Sequence, residues 1–301
     1  VAGFVNLAEW SSGLVGELLE TARAVQRHPG GFATACSGRT VALLAQIPDF
    51  ELRLAVEVAV AELGGRTFAY DAAAFGARWH ERPEDLARVI GRTFDAVVLS
   101  GDSSCVDVFR LACPVATIGG DASGQSPIDG LALLMTMHRA RGSLQGRRIA
   151  FLGDGATLAH TVLLAGALAG MTVAVAHPRG YAPNPDVVTA ARDVAARNGG
   201  AVLVTEDPDH AVLDADVIVV EPFRSLAGGE TGRASRFDGF VLTPARAQAA
   251  RPGALALHPL PLRGEIAPEL VAAFDHDLSD WAANRVHAAK AILMHALGTR
   301  R

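Results

Sequence analysis

The chain has 301 residues, half of them hydrophobic and a fifth charged, with a formal net charge of −5. That balance supports a sizeable core and excludes a disordered chain, and without a dense Lys/Arg run it excludes a nucleic-acid partner. No apolar run reaches membrane-spanning length and no signal-peptide pattern opens the sequence, so the reading is a cytoplasmic protein with no membrane partner. Cys36, Cys105 and Cys113 lack metal-binding spacing and read as free or buried thiols, with no metal and no cofactor expected.

Residues 1–30 read as a helix with Leu14, Leu18, Leu19 and Ala22 on one face. Residues 41–47 form an apolar run suited to a buried strand, which Pro48 and Asp49 stop. Residues 50–63 then space Leu52, Val56, Ala59 and Leu63 along one helix face before Gly64-Gly65 ends it. A strand that feeds a helix through a tight turn leaves backbone N–H groups unpaired, a natural place for an anion. Residues 67–70, 95–99 and 114–118 read as further strands, with helices at 83–91 and 105–112 between them. Ser103-Ser104-Cys105 lacks the context of a nucleophile elbow and reads as a helix start.

A Gly/Ser-rich segment, 119–125, leads into a long apolar helix at 127–141, read as a connector between domains. The alternation restarts with strands at 148–152, 172–176, 201–204 and 217–220 and helices at 158–169 and 185–198. Residues 228–235 read as a mobile loop, 254–257 as the last strand and 282–297 as a closing helix. The fold class is therefore α/β: two doubly wound parallel-sheet domains joined by a long helix, with a cleft between them. Gly153-Asp154-Gly155 does not complete a dinucleotide fingerprint, because Leu158 and His177 stand where a third glycine and an acid are needed. A backbone turn at the strand end accounts for these glycines.

Several blocks carry a resemblance. Gly38-Arg39-Thr40, Arg53, Glu57 and Leu63-Gly64-Gly65 fall in register with the strand–turn–helix of the aspartate and ornithine carbamoyltransferases. Residues 142–160 resemble that family's Gly-Ser-Leu-x-Gly…Gly-Asp…His block, and Gly180-Tyr181 its Pro-x-Gly-Tyr position. Glu221, Ser225 and Leu226 resemble the Asp-x-x-x-Ser-Met-Gly loop of the ornithine enzymes, and His258-Pro259-Leu260-Pro261 the His-Pro/Cys-Leu-Pro turn. Asn284-Arg285, His287 and Lys290 are similar to the ornithine branch's closing helix. The resemblance implies an N-terminal donor-binding domain at 1–133, completed by 282–301, and an amino-acid-binding domain at 134–281. It also implies a homotrimer acting on a small-molecule substrate.

The donor-site residues depart from that family. Its Ser-Thr-Arg-Thr turn becomes Asp49-Phe50-Glu51-Leu52, a phosphate-binding Arg falls on Ser100, and a His-Pro-x-Gln motif falls on Ser126-Pro127-Ile128-Asp129. One guanidinium beside a phosphate charge contributes roughly 4 kcal/mol at about 4 Å and an effective dielectric of about 20. Exchanging it for a carboxylate also adds a repulsion, and losses of that order rival the roughly 8 kcal/mol of a micromolar ligand. Ordinary carbamoyl phosphate binding is not expected.

Asp49, Glu51 and Asp129 read either as a pocket for a cation or an acid–base set, or as a decayed site whose acids pair with Arg53 and Arg285. His258 and Arg285 read as groups that polarise a carbonyl-like carbon, and Arg53 also reads as the partner of Glu57 one helical turn on. Glu221 and Ser225 suit an ammonium group, with Phe50, Ser100, Ser126, Leu226 and Leu260 as further substrate contacts. Three functions stay open. The first is a divergent family enzyme of specialised biosynthesis, acting on an amine-, ureido- or guanidino-bearing amino-acid derivative. The others are a genuine carbamoyltransferase with a remodelled donor site, and a non-catalytic partner of an active paralogue.

Overall fold

The structure, a computed structural model, describes residues 3–46, 49–71, 74, 76–122, 124–223 and 233–299. The chain divides into two compact units, Val1–Ala132 with Asn284–Arg301, and Leu133–Ala283. Each is built on its own parallel sheet.

The first unit opens with helix α1, Ser12–Arg27, shorter than the 1–30 expected from sequence. Ser11 sets its start by accepting the Leu14 N–H, and Pro29 follows its end. Four strands follow: β1 (Thr40–Ala45), β2 (Arg66–Asp71), β3 (Ala96–Gly101) and β4 (Ala116–Ala122). Their spatial order is β2-β1-β3-β4, all parallel, so crossover connections join them. The helices are α2 (Phe50–Glu62), the short α3 (Arg78–Glu81), α4 (Pro83–Thr93) and α5 (Ser103–Ala112). Strand β1 ends at Ala45, two residues before the sequence reading placed it, and residues 47 and 48 lie outside the described set.

Leu52, Val56, Ala59 and Leu63 of the α2 stretch are all buried, as the helical spacing requires. Strand β4 runs on through Gly119 and Gly120, where sequence reasoning saw a loop. A Cβ on Gly120 would sit 2.3 Å from Leu52 Cδ2, so this glycine lets the start of α2 lie directly on the strand. The glycines there serve close packing rather than a turn.

Helix α6, Pro127–Arg141, contains the boundary between the units. The second unit carries β5 (Arg148–Leu152), β6 (Thr172–Ala176), β7 (Ala201–Thr205), β8 (Val217–Val220) and β9 (Leu255–Leu257). The order β7-β6-β5-β8-β9 is again wholly parallel. Strands β5, β6, β8 and β9 are buried apolar runs, the pattern of a sheet covered on both faces, whereas the edge strand β7 is only partly buried. The helices are α7 (Thr157–Leu168), α8 (Pro185–Asn198), α9 (Pro208–Val212), α10 (Arg233–Phe237) and α11 (Pro244–Ala249).

Of the loop expected at 228–235, residues 228–232 lie outside the described set and 233–235 belong to α10. The closing helix α12, Pro268–Ala296, begins fourteen residues before the expected 282. Leu270, Val271 and Phe274 pack on the second unit's core and hold that first half in place.

Candidate functional site

The turn after β1 is the place where sequence logic put an anion. The structure fills it from within. Asp49 N-caps α2, its Oδ1 accepting the Leu52 N–H at 2.9 Å, so a carboxylate of the chain takes the helix-start donor. Burial pushes the Asp49 carboxyl above its ordinary value, and neighbouring Asp129 and Glu51 push the same way against the Leu52 N–H and Arg285.

Arg285, on α12, is mostly buried and donates from Nε to Asp129 Oδ1 at 2.5 Å. Burial works against its charge, but Asp129, Asp49 and Glu51 together outweigh that and raise its pKa. These four residues, from three distant stretches of the sequence, therefore act on one another electrostatically. Arg53 stands apart: its Nε pairs with Glu57 Oε1 at 2.9 Å on the exposed face of α2. Phe50, 71% exposed, also faces away from the core.

Ser100 lies buried at the end of β3, its carbonyl accepting the Gln46 N–H at 2.8 Å. Ser126 is buried at the start of α6, where its Oγ accepts the Asp129 N–H at 3.2 Å. That bond fixes the first turn carrying Asp129, so Ser126 orients the acid that holds Arg285. Closing the set, Lys290 is buried and ion-paired with Glu62.

In the second unit, Glu221 folds back over the turn that follows β5. Its Oε2 accepts the Asp154 N–H at 2.7 Å. Gly153, at φ +155°, leaves room for it, since a Cβ there would meet Glu221 Cβ at 2.6 Å. Gly155 lies against the 181–183 backbone and donates its N–H to the Tyr181 carbonyl at 2.8 Å. The glycines of this turn are packing glycines, as the incomplete dinucleotide fingerprint implies.

His258, just after β9, is buried and its Nε2 lies 3.6 Å from Glu265 Oε2. Neither ring nitrogen has a hydrogen-bond partner among the described residues. Burial drives the imidazole down to about 4, against the pull of Glu265. The ring is therefore neutral at pH 7, fit to donate one N–H rather than to serve as a cationic acid. Glu265 escaped the sequence reading because nothing in its loop marks it. It is held by N–H groups of Phe223 at 3.2 Å and Arg263 at 2.6 Å. Leu260 packs on the core of the same unit, while Ser225 and Leu226 lie outside the described residues.

The structure draws together His80, Asp102 and Cys105, whose ligand atoms all lie within 4.8 Å of one another. All three cysteines are free and buried. No described helix is long and apolar enough to cross a membrane.

Comparison with known proteins places this geometry in a lineage. Residues 3–139 match the aspartate/ornithine carbamoyltransferase carbamoyl-P binding domain, and residues 145–296 match that family's Asp/Orn binding domain. An ornithine carbamoyltransferase of Parafrankia sp. (strain EAN1pec) is 38% identical over 93% of this chain and 90% of its own length. One of Anoxybacillus flavithermus is 32% identical, covering 98% of this chain and 96% of its own. The structure of ornithine carbamoyltransferase from Pyrococcus furiosus superposes with a TM-score of 0.92 at 29% identity, covering 99% of this chain and 98% of that one. With both domain models matched in order and two such relatives aligned nearly end to end, the chain belongs to the aspartate/ornithine carbamoyltransferase family.

Proposed function

We propose that this protein is a divergent family enzyme that acts on an amine-, ureido- or guanidino-bearing amino-acid derivative without ordinary carbamoyl phosphate binding. The observation that carries this reading is the closure of the donor turn by the chain's own acids. Asp49 caps α2 and Asp129 holds Arg285. An incoming phosphate dianion would have to displace two carboxylates while facing Glu51, a repulsion of several kcal/mol at protein-like dielectric. A cation meets the opposite sign: Asp49, Glu51 and Asp129 attract it.

In this reading Asp49, Glu51 and Asp129 receive or deprotonate a cationic group, and Arg285, freed in part from Asp129, polarises a carbonyl-like carbon. Neutral His258 donates an N–H toward developing negative charge, and Glu221 with Ser225 holds an ammonium. Phe50, Ser100, Ser126, Leu226 and Leu260 shape the surroundings, and Arg53 adds its charge at the helix surface. The family resemblance extends the proposal to a cytoplasmic homotrimer serving a specialised biosynthetic route.

A second reading is favoured by the relatives, which are described as ornithine carbamoyltransferases at 28–38% identity. On that reading the protein is a genuine carbamoyltransferase whose donor site is remodelled. A thermal-shift panel separates the two, using carbamoyl phosphate, phosphate, ornithine, aspartate, citrulline, arginine and guanidino compounds. The proposal expects stabilisation by a cationic or ureido compound in the absence of phosphate. Stabilisation by carbamoyl phosphate, with a carbamoylated product on adding ornithine or aspartate, establishes the second reading instead. No shift with any compound would turn attention to a non-catalytic partner role.

A further inference from the structure

We propose that His80, Asp102 and Cys105 form a three-ligand site for a divalent transition-metal ion of the zinc class. It is independent of the reading of the donor turn.

The three residues come from separate pieces of the first unit. His80 lies in the short helix α3, Asp102 directly follows β3, and Cys105 sits in the first turn of α5. Their donor atoms converge on one point. The Cys105 Sγ lies 3.5 Å from His80 Nδ1, and the same Nδ1 lies 3.8 Å from Asp102 Oδ2. With zinc–nitrogen and zinc–oxygen bonds near 2.0–2.1 Å and a zinc–sulfur bond near 2.3 Å, ligand atoms of a tetrahedral site stand about 3.4–3.6 Å apart. The two spacings to His80 Nδ1 need only a few tenths of an ångström of adjustment, and all three ligand atoms already lie within 4.8 Å of one another.

The arrangement does not fit a nucleophilic triad. A relay uses opposite ring nitrogens, one toward the nucleophile and one toward the acid. Here thiol and carboxylate both face Nδ1, while Nε2 faces the Gln46 amide at 3.4 Å. Capping of α5 explains only half of Asp102. Its Oδ1 accepts from the Cys105 N–H at 3.2 Å and from Ser104 Oγ at 2.9 Å. Those bonds fix the carboxylate plane and leave Oδ2 turned toward His80. Gln46 Oε1 also accepts the Asp102 N–H at 2.8 Å, holding the segment that bears the acid. Such outer contacts are what orient metal ligands in built sites.

The donor set selects the metal. Thiolate and imidazole suit zinc or cobalt and disfavour magnesium and calcium, which want oxygen alone. Binding would release the Cys105 proton to solvent, leaving the thiolate as ligand. Three protein ligands leave a fourth position for water or a ligand atom of a small molecule.

The test is titration of the full chain with Co²⁺, followed by competition with Zn²⁺. The expected result is one equivalent of Co²⁺ with a thiolate-to-cobalt charge-transfer band and intense tetrahedral visible bands, both displaced by Zn²⁺. Cys105→Ser should abolish the charge-transfer band, and His80→Ala should weaken Zn²⁺ binding at least tenfold. Asp102→Asn, which keeps an oxygen for the helix cap, should weaken it similarly. The metal-free variant should stay folded with only a modest drop in thermal midpoint, since the carboxylate's charge at the α5 start is lost. A charge-transfer band that survives in Cys105→Ser would overturn the assignment. So would equal Zn²⁺ affinity in the wild type and His80→Ala, or the absence of binding tighter than millimolar.

Discussion

Each unit closes a turn at the end of a β strand with a carboxylate, but the two turns differ in what surrounds them. In the second unit Glu221 accepts the Asp154 N–H, within a segment whose sequence keeps its likeness to the family's amino-acid side. In the first unit Asp49 takes the α2 start beside Glu51, Asp129 and Arg285, at the positions where the family's phosphate turn would stand. In the resemblance drawn from sequence, the second turn stays near the family's pattern, with Glu221 for its Asp, while the first shares the frame and differs in charge. Packing explains why the frame survives: Leu52 lies against Gly120 and the rest of the α2 face is buried.

The sharpest way to break this comparison is to remove the acid that holds Arg285. Asp129→Ala leaves a mostly buried guanidinium without its short ion pair, and should cost about 2–3 kcal/mol in urea unfolding, below a fully buried pair because Asp129 keeps some exposure. Asp129→Ala combined with Arg285→Met should recover most of that loss. If the double variant is as unstable as the single one, the pair is not the source of the penalty.

The second unit offers an effect of similar size that depends on pH. His258 is held near 4, below its ordinary 6.5, so the folded state binds fewer protons between those values. Its stabilising contribution is complete above pH 6.5 and is lost as pH falls toward 4, by up to roughly 3 kcal/mol. His258→Gln should flatten that segment of the stability–pH curve. An unchanged slope would show that His258 does not titrate in the fold.

Asp49 runs the other way. Its folded value is raised above 3.8, so the favourable contribution is complete below 3.8 and is lost as pH rises through the folded value. Asp49→Asn keeps the cap and should gain stability over wild type as pH climbs toward neutrality. Asp49→Ala should lie about 1 kcal/mol below Asp49→Asn throughout, the usual weight of an N-cap. Equal midpoints for the Asn and Ala variants would remove Asp49 from the cap.

The smallest effect belongs to the exposed Arg53–Glu57 pair. Arg53→Ala should change stability by no more than about 0.5 kcal/mol, and less in high salt. A larger loss would mean that Arg53 contributes something beyond this pair.

The parallel strands were legible because buried runs such as 148–152 and 217–220 carry their own pattern, and the helix at 127–141 is bounded by Pro127 and Gly142. The first half of α12 was hidden because its acidic stretch interrupts the apolar spacing, although Leu270, Val271 and Phe274 supply an anchoring face. Asp49 carried a helix-cap signature in plain view: an aspartate just before an apolar-periodic helix. Glu265 and the His80–Asp102–Cys105 group could not be found from sequence, since only the fold brings such distant residues together.

The most direct measurement is calorimetric titration of the wild-type protein with carbamoyl phosphate at neutral pH and low salt. If Asp49, Glu51 and Asp129 close the donor turn to phosphate, no saturable heat appears up to millimolar ligand. Saturable binding in the micromolar range would show that the turn opens for the dianion, and would contradict the account at its centre.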